Sequence, residues 1–293
     1  MLGGKSLFGA AANYADPEFH KRYLLPFYDW CVKGEATSYE TEPRVKYIMQ
    51  GENRPYDSDV WPPPNIKYHD FYLNGKKSGI LNSLNDGTLT PAKNDSETSS
   101  VSYDYPDPQW RGGVISVDKN GRLDPLARKL TFLSEPLSED VRVVGPVELV
   151  LYVSSSNKDT DFIVRVADQA PGTGEGGNPN LVQSTPVSKG WLRASLRATD
   201  STASLPHAPW YSDTKQEFLT PGNVYEMHIA IVPTAYMFKK GHRIRLEIAN
   251  SDSYQQDYPF NHLYTPDKVG RDTIFYNDIQ SSRLIIPVLV DKK

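Results

Sequence analysis

The chain carries six histidines, His20, His69, His207, His228, His242 and His262, and none stands in an HxH, HxxxH or HExxH pair. Those spacings put two imidazoles on one metal ion, so their absence leaves no histidine-based metal site to assign. Cys31 is the sole cysteine, which removes CxxC zinc and redox sites as well as any intrachain disulfide. Asp159 and Asp161, in Asn157-Lys158-Asp159-Thr160-Asp161-Phe162, have a spacing compatible with calcium, but a turn-capping role needs no ion and is the reading adopted. No metal or other cofactor is expected.

A serine nucleophile fares no better. A GxSxG elbow, whose small flanking residues permit the tight turn that exposes the serine oxygen, is absent. Gly4-Lys5-Ser6-Leu7-Phe8-Gly9 has the wrong spacing and no strand before it. Ser155-Ser156-Asn157-Lys158 is formally SxxK, yet it lies between the apolar run VELVLYV and DTDFIVRV, where a hairpin turn is the simpler account. His228 falls on the polar side of a strand and His242 in the turn leading into one, which suits surface or structural roles. No catalytic residue is assigned. Trp191, Trp210 and Tyr211 could stack on sugar rings, which keeps a stand-alone carbohydrate- or protein-binding module open as an alternative.

The elements that would position these side chains are mostly strands. Asp16-Pro17 is a good helix start, and Phe19, Tyr23, Phe27 and Trp30 recur every three or four residues until Gly34, which predicts a helix over 17–33 kinked or split at Pro26. After Gly34 the period changes to two. Tyr225, Met227, Ile229 and Ile231 alternate with polar or small residues, as do Ile244, Leu246 and Ile248, and Phe162, Val164 and Val166. These read as half-buried strands. Further strands are expected at 44–49, 67–73, 130–133, 147–153, 190–197, 273–276 and 283–290, separated by Gly, Pro, Asn and Asp clusters. Many strands without intervening helices predict a mainly β, antiparallel sandwich, with a jelly roll the favoured topology. The polar stretch 74–111 is expected to wrap the surface outside the core.

Composition agrees and narrows the partners. In 293 residues, 38% are hydrophobic and 23% charged, with 18 Tyr and 23 Pro, as suits a turn-rich β protein. A net charge of -4 with interspersed signs argues against nucleic acid as a partner. The N-terminal stretch lacks a signal-peptide apolar run and no segment is apolar for long enough to span a bilayer, so no membrane partner is expected. With the lone Cys31, this favours the cytoplasm over export.

Several runs of residues resemble one family. Phe27-Tyr28-Asp29-Trp30-Cys31-Val32-Lys33-Gly34, then Pro43-Arg44-Val45, Gly51 and Trp61-Pro62 resemble the exit from the catalytic domain of cocaine-esterase-like and X-Pro dipeptidyl-peptidase serine hydrolases. Leu130 to Leu137, Val144 to Leu149, Asp159 to Asp168, Gly190 to Ser195 and Gly241 to Leu246 are similar, in order, to that family's C-terminal jelly roll. The resemblance implies a galactose-binding-like sandwich over 43–293, preceded at 1–36 by the tail helix of an α/β-hydrolase domain. The Ser, Asp and His triad implied for that catalytic domain has no match here, so the chain is expected to be inactive alone and to act on a small ester or peptide only with that partner. The resemblance further implies that Phe19, Tyr23, Phe27 and Trp30 pack between domains. It implies too that Val114, Ile115 and Ser116, after Gly112-Gly113, wall the substrate pocket.

Overall fold

The computed structural model describes residues 17–79, 83–95, 99–105, 129–172, 184–250 and 268–290. A helical segment opens it: a short α turn α1 (Pro17–Phe19), a π turn (His20–Leu24) and the helix α2 (Leu25–Lys33). Among the described residues, all other regular elements are strands, apart from short 3-10 turns at Ser38–Thr41 and Ala194–Leu196. The hairpin β1 (Val45–Met49) and β2 (Arg54–Ser58) is followed by β3 (Ile66–Asn74), β4 (Gly87–Thr90), β5 (Ser100–Tyr105), β6 (Leu130–Ser134) and β7 (Val141–Ser155). Next come β8 (Asp161–Gln169), β9 (Ser184–Arg193), β10 (Tyr225–Phe238), β11 (Arg243–Ala249), β12 (Gly270–Phe275) and β13 (Arg283–Leu289).

Eleven strands form one sheet in the order β10-β9-β8-β11-β6-β4-β3-β13-β7-β12-β5, and β10 also pairs with β7, which closes it into a barrel-like sandwich. All pairings in it are antiparallel except β4 with β6. The long strand β7 carries the closure. One of its edges pairs with β10 from Tyr225↔Val153 to Phe238↔Val141, and the other is shared between β13 and β12. Leu149, Leu151 and Val153 point inward at the period of a strand and meet Phe132, Phe162, Met227, Ile229, Ile244, Leu246 and Ile286 in the core. Each such side chain, fully buried, contributes about 1.5–3 kcal/mol relative to exposure.

The predicted strands are present, with three corrections. First, the stretch 74–111 supplies β4 and β5, and Leu89 and Tyr103 lie in the core. In β5 the exposed Ser100, Ser102 and Asp104 alternate with Val101, Tyr103 and Tyr105, of which both tyrosines are buried, and composition averaged over the stretch hides that. Second, β7 and β8 are not sheet neighbours, so the segment joining them crosses between distant strands and is not a hairpin turn. Ser156 N donates to Arg271 O on β12 at 2.9 Å, and Arg271 N donates back to the Ser156 hydroxyl oxygen at 2.8 Å. Third, β9 ends at Arg193 because Asp159 captures the backbone N–H and hydroxyl of Ser195 at 2.8 and 2.9 Å and bends the chain into a 3-10 turn.

The alternation on β8 and β11 also conceals a burial. Their polar phase is covered: Arg165, Arg245 and Glu247 are all below 10% exposed. Glu247 accepts hydrogen bonds from Arg245 Nε (2.6 Å), Arg165 Nε (2.6 Å) and Lys129 Nζ, and Arg245 reaches Gln169 at 2.8 Å. Burial opposes ionisation of Glu247, but the three cations hold its carboxyl well below the usual range.

Candidate functional site

The clearest surface feature is the helical segment and the groove beneath it. Leu25 follows directly from the π turn, and Pro26, which has no N–H to lose, sits in the first turn of α2. The helix is split one residue before Pro26, where the π turn hands over to α2 between Leu24 and Leu25. Gly34, at φ 71°, closes the helix in the left-handed conformation, with its N–H donating to Trp30 O and that of Glu35 to Asp29 O. Thr37 then ties the chain back by donating its hydroxyl to Pro26 O at 2.9 Å. It also caps the turn that carries Tyr39.

Tyr39 is what the helix packs on. Its ring lies 5.1 Å from Phe27 and 5.3 Å from Trp30. Tyr23 and Phe27 are half-buried, whereas Leu25, Tyr28, Trp30 and Val32 are 40–74% exposed, and no residue of the π turn or α2 is buried. The side chain of Phe19 lies outside the described set. Between helix and hairpin opens a groove of about 650 Å³, walled by Tyr23, Trp30 and Tyr39 with Glu42, Arg44 and Lys46 at its rim. Lys46 Nζ sits 5.5 Å from the Tyr23 ring centre and pairs with Glu42. These walls offer aromatic contact area with charge of both signs beside it.

The hairpin beside it is anchored by backbone. Gln50 donates to Ala235 O at 2.9 Å and accepts from Met237 N at 2.8 Å. Met49 packs with Val144, Ala235 and Met237 in a small second core. The tight turn after it needs Gly51, at φ 83°, because a side-chain carbon there would lie 2.5 Å from Met237 O. Asn53 completes the turn, also left-handed at φ 57°.

Two histidine clusters stand elsewhere. On β11's leading turn, His242 Nδ1 lies 2.8 Å from Asp168, whose other oxygen accepts from the Tyr236 hydroxyl at 2.8 Å. The pair has the Asp-His half of a triad, but a phenol stands in place of a serine. Burial and Asp168 raise the pKa of Tyr236 far above its ordinary value, so that phenol stays protonated. On the outer face of β7, Glu148 meets His207 Nδ1 at 2.8 Å and His228 Nδ1 at 2.6 Å. Sequence reading placed His228 on the polar side but gave no sign of His207. The one available signal was Glu148 itself, a carboxylate inside the apolar run of β7.

The remaining sequence candidates are dispersed. Asp159 is committed to Thr160 and Ser195, and Asp161 to Arg193 and Lys268, so each carboxylate has protein partners of its own. Among the described residues, no group of three or more His, Cys, Asp or Glu is arranged to hold a metal ion, and no helix is long and apolar enough to cross a membrane. Trp191 and Trp210 are 49% and 63% exposed, but the Tyr211 hydroxyl is bound to β10, donating to His228 O and accepting from Ala230 N. Val114, Ile115, Ser116, His262 and the Gly4 to Gly9 run lie outside the described residues.

The match to known proteins covers most of the chain. The family described as X-Pro dipeptidyl-peptidase C-terminal non-catalytic domain matches residues 37–280. A protein from Mycobacterium bovis with a serine-esterase name is 27% identical over 291 residues, covering 93% of this chain and 42% of its own length. Cocaine esterase from Rhodococcus sp. is 29% identical over 260 residues, covering 85% of this chain and 41% of the enzyme. A CocE/NonD family hydrolase from Staphylococcus aureus shares the fold at a TM-score of 0.67 and 22% identity, over 90% of this chain and 44% of that one. The chain thus spans less than half the length of these relatives, and it belongs to the X-Pro dipeptidyl-peptidase C-terminal non-catalytic domain family.

Proposed function

We propose that this chain is the supporting, non-catalytic part of a serine hydrolase that cleaves esters or peptides after X-Pro, with the nucleophile and its base supplied by an α/β-hydrolase domain. The observation that carries the reading is the family match over residues 37–280, joined to relatives more than twice as long that bear esterase names. The half-exposed aromatic face of the helical segment supports a docking role. In this reading Phe19, Tyr23, Phe27 and Trp30 pack against the catalytic domain, residues 1–36 belong structurally to it, and 43–293 form a jelly-roll sandwich of the galactose-binding-like kind. Val114, Ile115 and Ser116 contribute to the wall of the substrate pocket, Val114 and Ile115 with apolar contact.

The acyl-enzyme chemistry requires a serine beside a base, oriented by an acid. Among the described residues, neither histidine-carboxylate cluster pairs its histidine with a serine. The purified chain is therefore expected to hydrolyse neither nitrophenyl esters nor X-Pro anilides, and to take up no fluorophosphonate probe. Stoichiometric labelling of one serine, located by mass spectrometry, overturns the proposal.

A further inference from the structure

The seam that closes the sheet, β7 against β10, carries a row of ionisable side chains on its outer face. Ala230 of β10 stands opposite Glu148 of β7, His228 opposite Val150, and Glu226 opposite Tyr152. Alternation therefore puts Glu226 and His228 on one face of β10, with Glu148 diagonally across the seam and within reach of a long side chain. His228 Nδ1 lies 2.6 Å from Glu148 Oε1, and its Nε2 lies 3.3 Å from Glu226 Oε1. Both ring nitrogens thus face carboxylate oxygens.

A neutral imidazole has one N–H and one lone pair. With Nδ1 donating to Glu148 it would point that lone pair at Glu226, and with Nε2 donating it would point the lone pair at Glu148, the more buried of the two carboxylates. The imidazolium, with a proton on each nitrogen, satisfies both contacts at once. We propose that His228 is a cationic clasp, protonated on both ring nitrogens, that ties β10 to β7 across the closing seam and weakens as pH rises.

The electrostatics support the geometry. Burial disfavours the Glu148 carboxylate, but hydrogen bonds from His207 and His228 outweigh it and hold its pKa at about 2, so it is an anion throughout the neutral range. The hydrogen bond to Glu148 raises His228 above its ordinary value, burial opposes that rise, and Glu226 adds to it. Arg283 on β13 lowers His228, and its Nε also stands 3.8 Å from Asp70 of β3. Tyr152 of β7, Tyr68 of β3 and Tyr211 of the loop between β9 and β10 complete the surroundings. Burial is the leading cause that raises all three, Tyr211 to about 12, so none ionises near neutrality. His207, from the same loop, approaches the other oxygen of Glu148 at 2.8 Å and leaves Oε1 to His228.

A raised imidazole contributes stability that is fully present below its unperturbed value and lost as pH rises through the raised one. The His228 side chain is 45% exposed, so solvent screens both contacts and keeps the effect small.

NMR of the full chain with ring-labelled histidine tests this, the His228 signal being identified by its loss in His228→Gln. His228 should be predominantly doubly protonated at pH 6.5, where an unperturbed imidazole is half neutral. Glu226→Gln, a change at an exposed position, should lower the midpoint of the His228 titration. In thermal unfolding, the wild-type Tm should fall about 1–3 °C further than that of His228→Gln between about pH 6 and about pH 9. A midpoint at or below 6.5, a midpoint unmoved by Glu226→Gln, or equal Tm slopes in the wild type and His228→Gln overturns the proposal.

Discussion

At the scale of single residues, function and stability turn on positions where one atom decides the outcome. Gly51 is such a position, since its φ of 83° and the 2.5 Å approach of Met237 O together exclude a side chain. Gly51→Ala should cost about 2–4 kcal/mol, combining a left-handed backbone with a backbone clash, and thermal unfolding should show a lowered Tm. Gly34→Ala, where a side-chain carbon meets nothing within 4 Å, should cost only the left-handed penalty of about 1 kcal/mol. The requirement for glycine at 51 was not legible in the sequence. A glycine in a predicted turn says that φ is free to be positive, whereas the close approach comes from β10, far along the chain.

At the scale of elements, strands and helix differ in how completely they are partnered. The pair β8 and β11 buries both faces, and its polar face survives burial because Glu247 is bound by Lys129, Arg165 and Arg245. Removing the anion leaves three cations buried together. Glu247→Gln should therefore cost about 3–5 kcal/mol in denaturant unfolding, against less than about 1 kcal/mol for Asp104→Asn, whose Arg271 partner is solvent-exposed. The helical segment is the opposite case, with Leu25, Tyr28, Trp30 and Val32 open to solvent. The chain alone should self-associate or bind hydrophobic dye through that face, and the double change Trp30→Gln, Val32→Lys should reduce both. Light scattering showing a clean monomer with low dye binding in the unaltered chain would count against the docking role. The aromatic stripe was readable from its spacing, and so was the helix end at Gly34. The π turn was not, because a one-residue slip in hydrogen bonding leaves no mark on residue types.

At the scale of the whole molecule, the sandwich is closed by β7, which pairs with β10 along one edge and with β13 and β12 along the other. That closure brings Glu148 of β7 beside His228 of β10 and beneath the loop carrying His207, and so assembles the carboxylate-histidine cluster from segments about 60 to 80 residues apart. The expectation of no probe labelling belongs at this scale, because it follows from the proposal that the nucleophile and its base are supplied by another domain.

What the sequence by itself determined was the core-facing side of the alternating strands at 162–166, 225–231 and 244–248, the end of the helix, the absence of recognisable catalytic motifs and the family. These follow from local period, from backbone preferences at Gly and Pro, and from residue order, all of which are properties of neighbours in the chain. Only the tertiary structure decided which polar faces are covered, that 74–111 contributes strands, that the segment after β7 crosses rather than turns back, and that Glu148 meets two histidines. Period two fixes the phase of a strand but neither its partners nor what lies over its other face, and those depend on sheet order, which is set by contacts between residues remote in sequence.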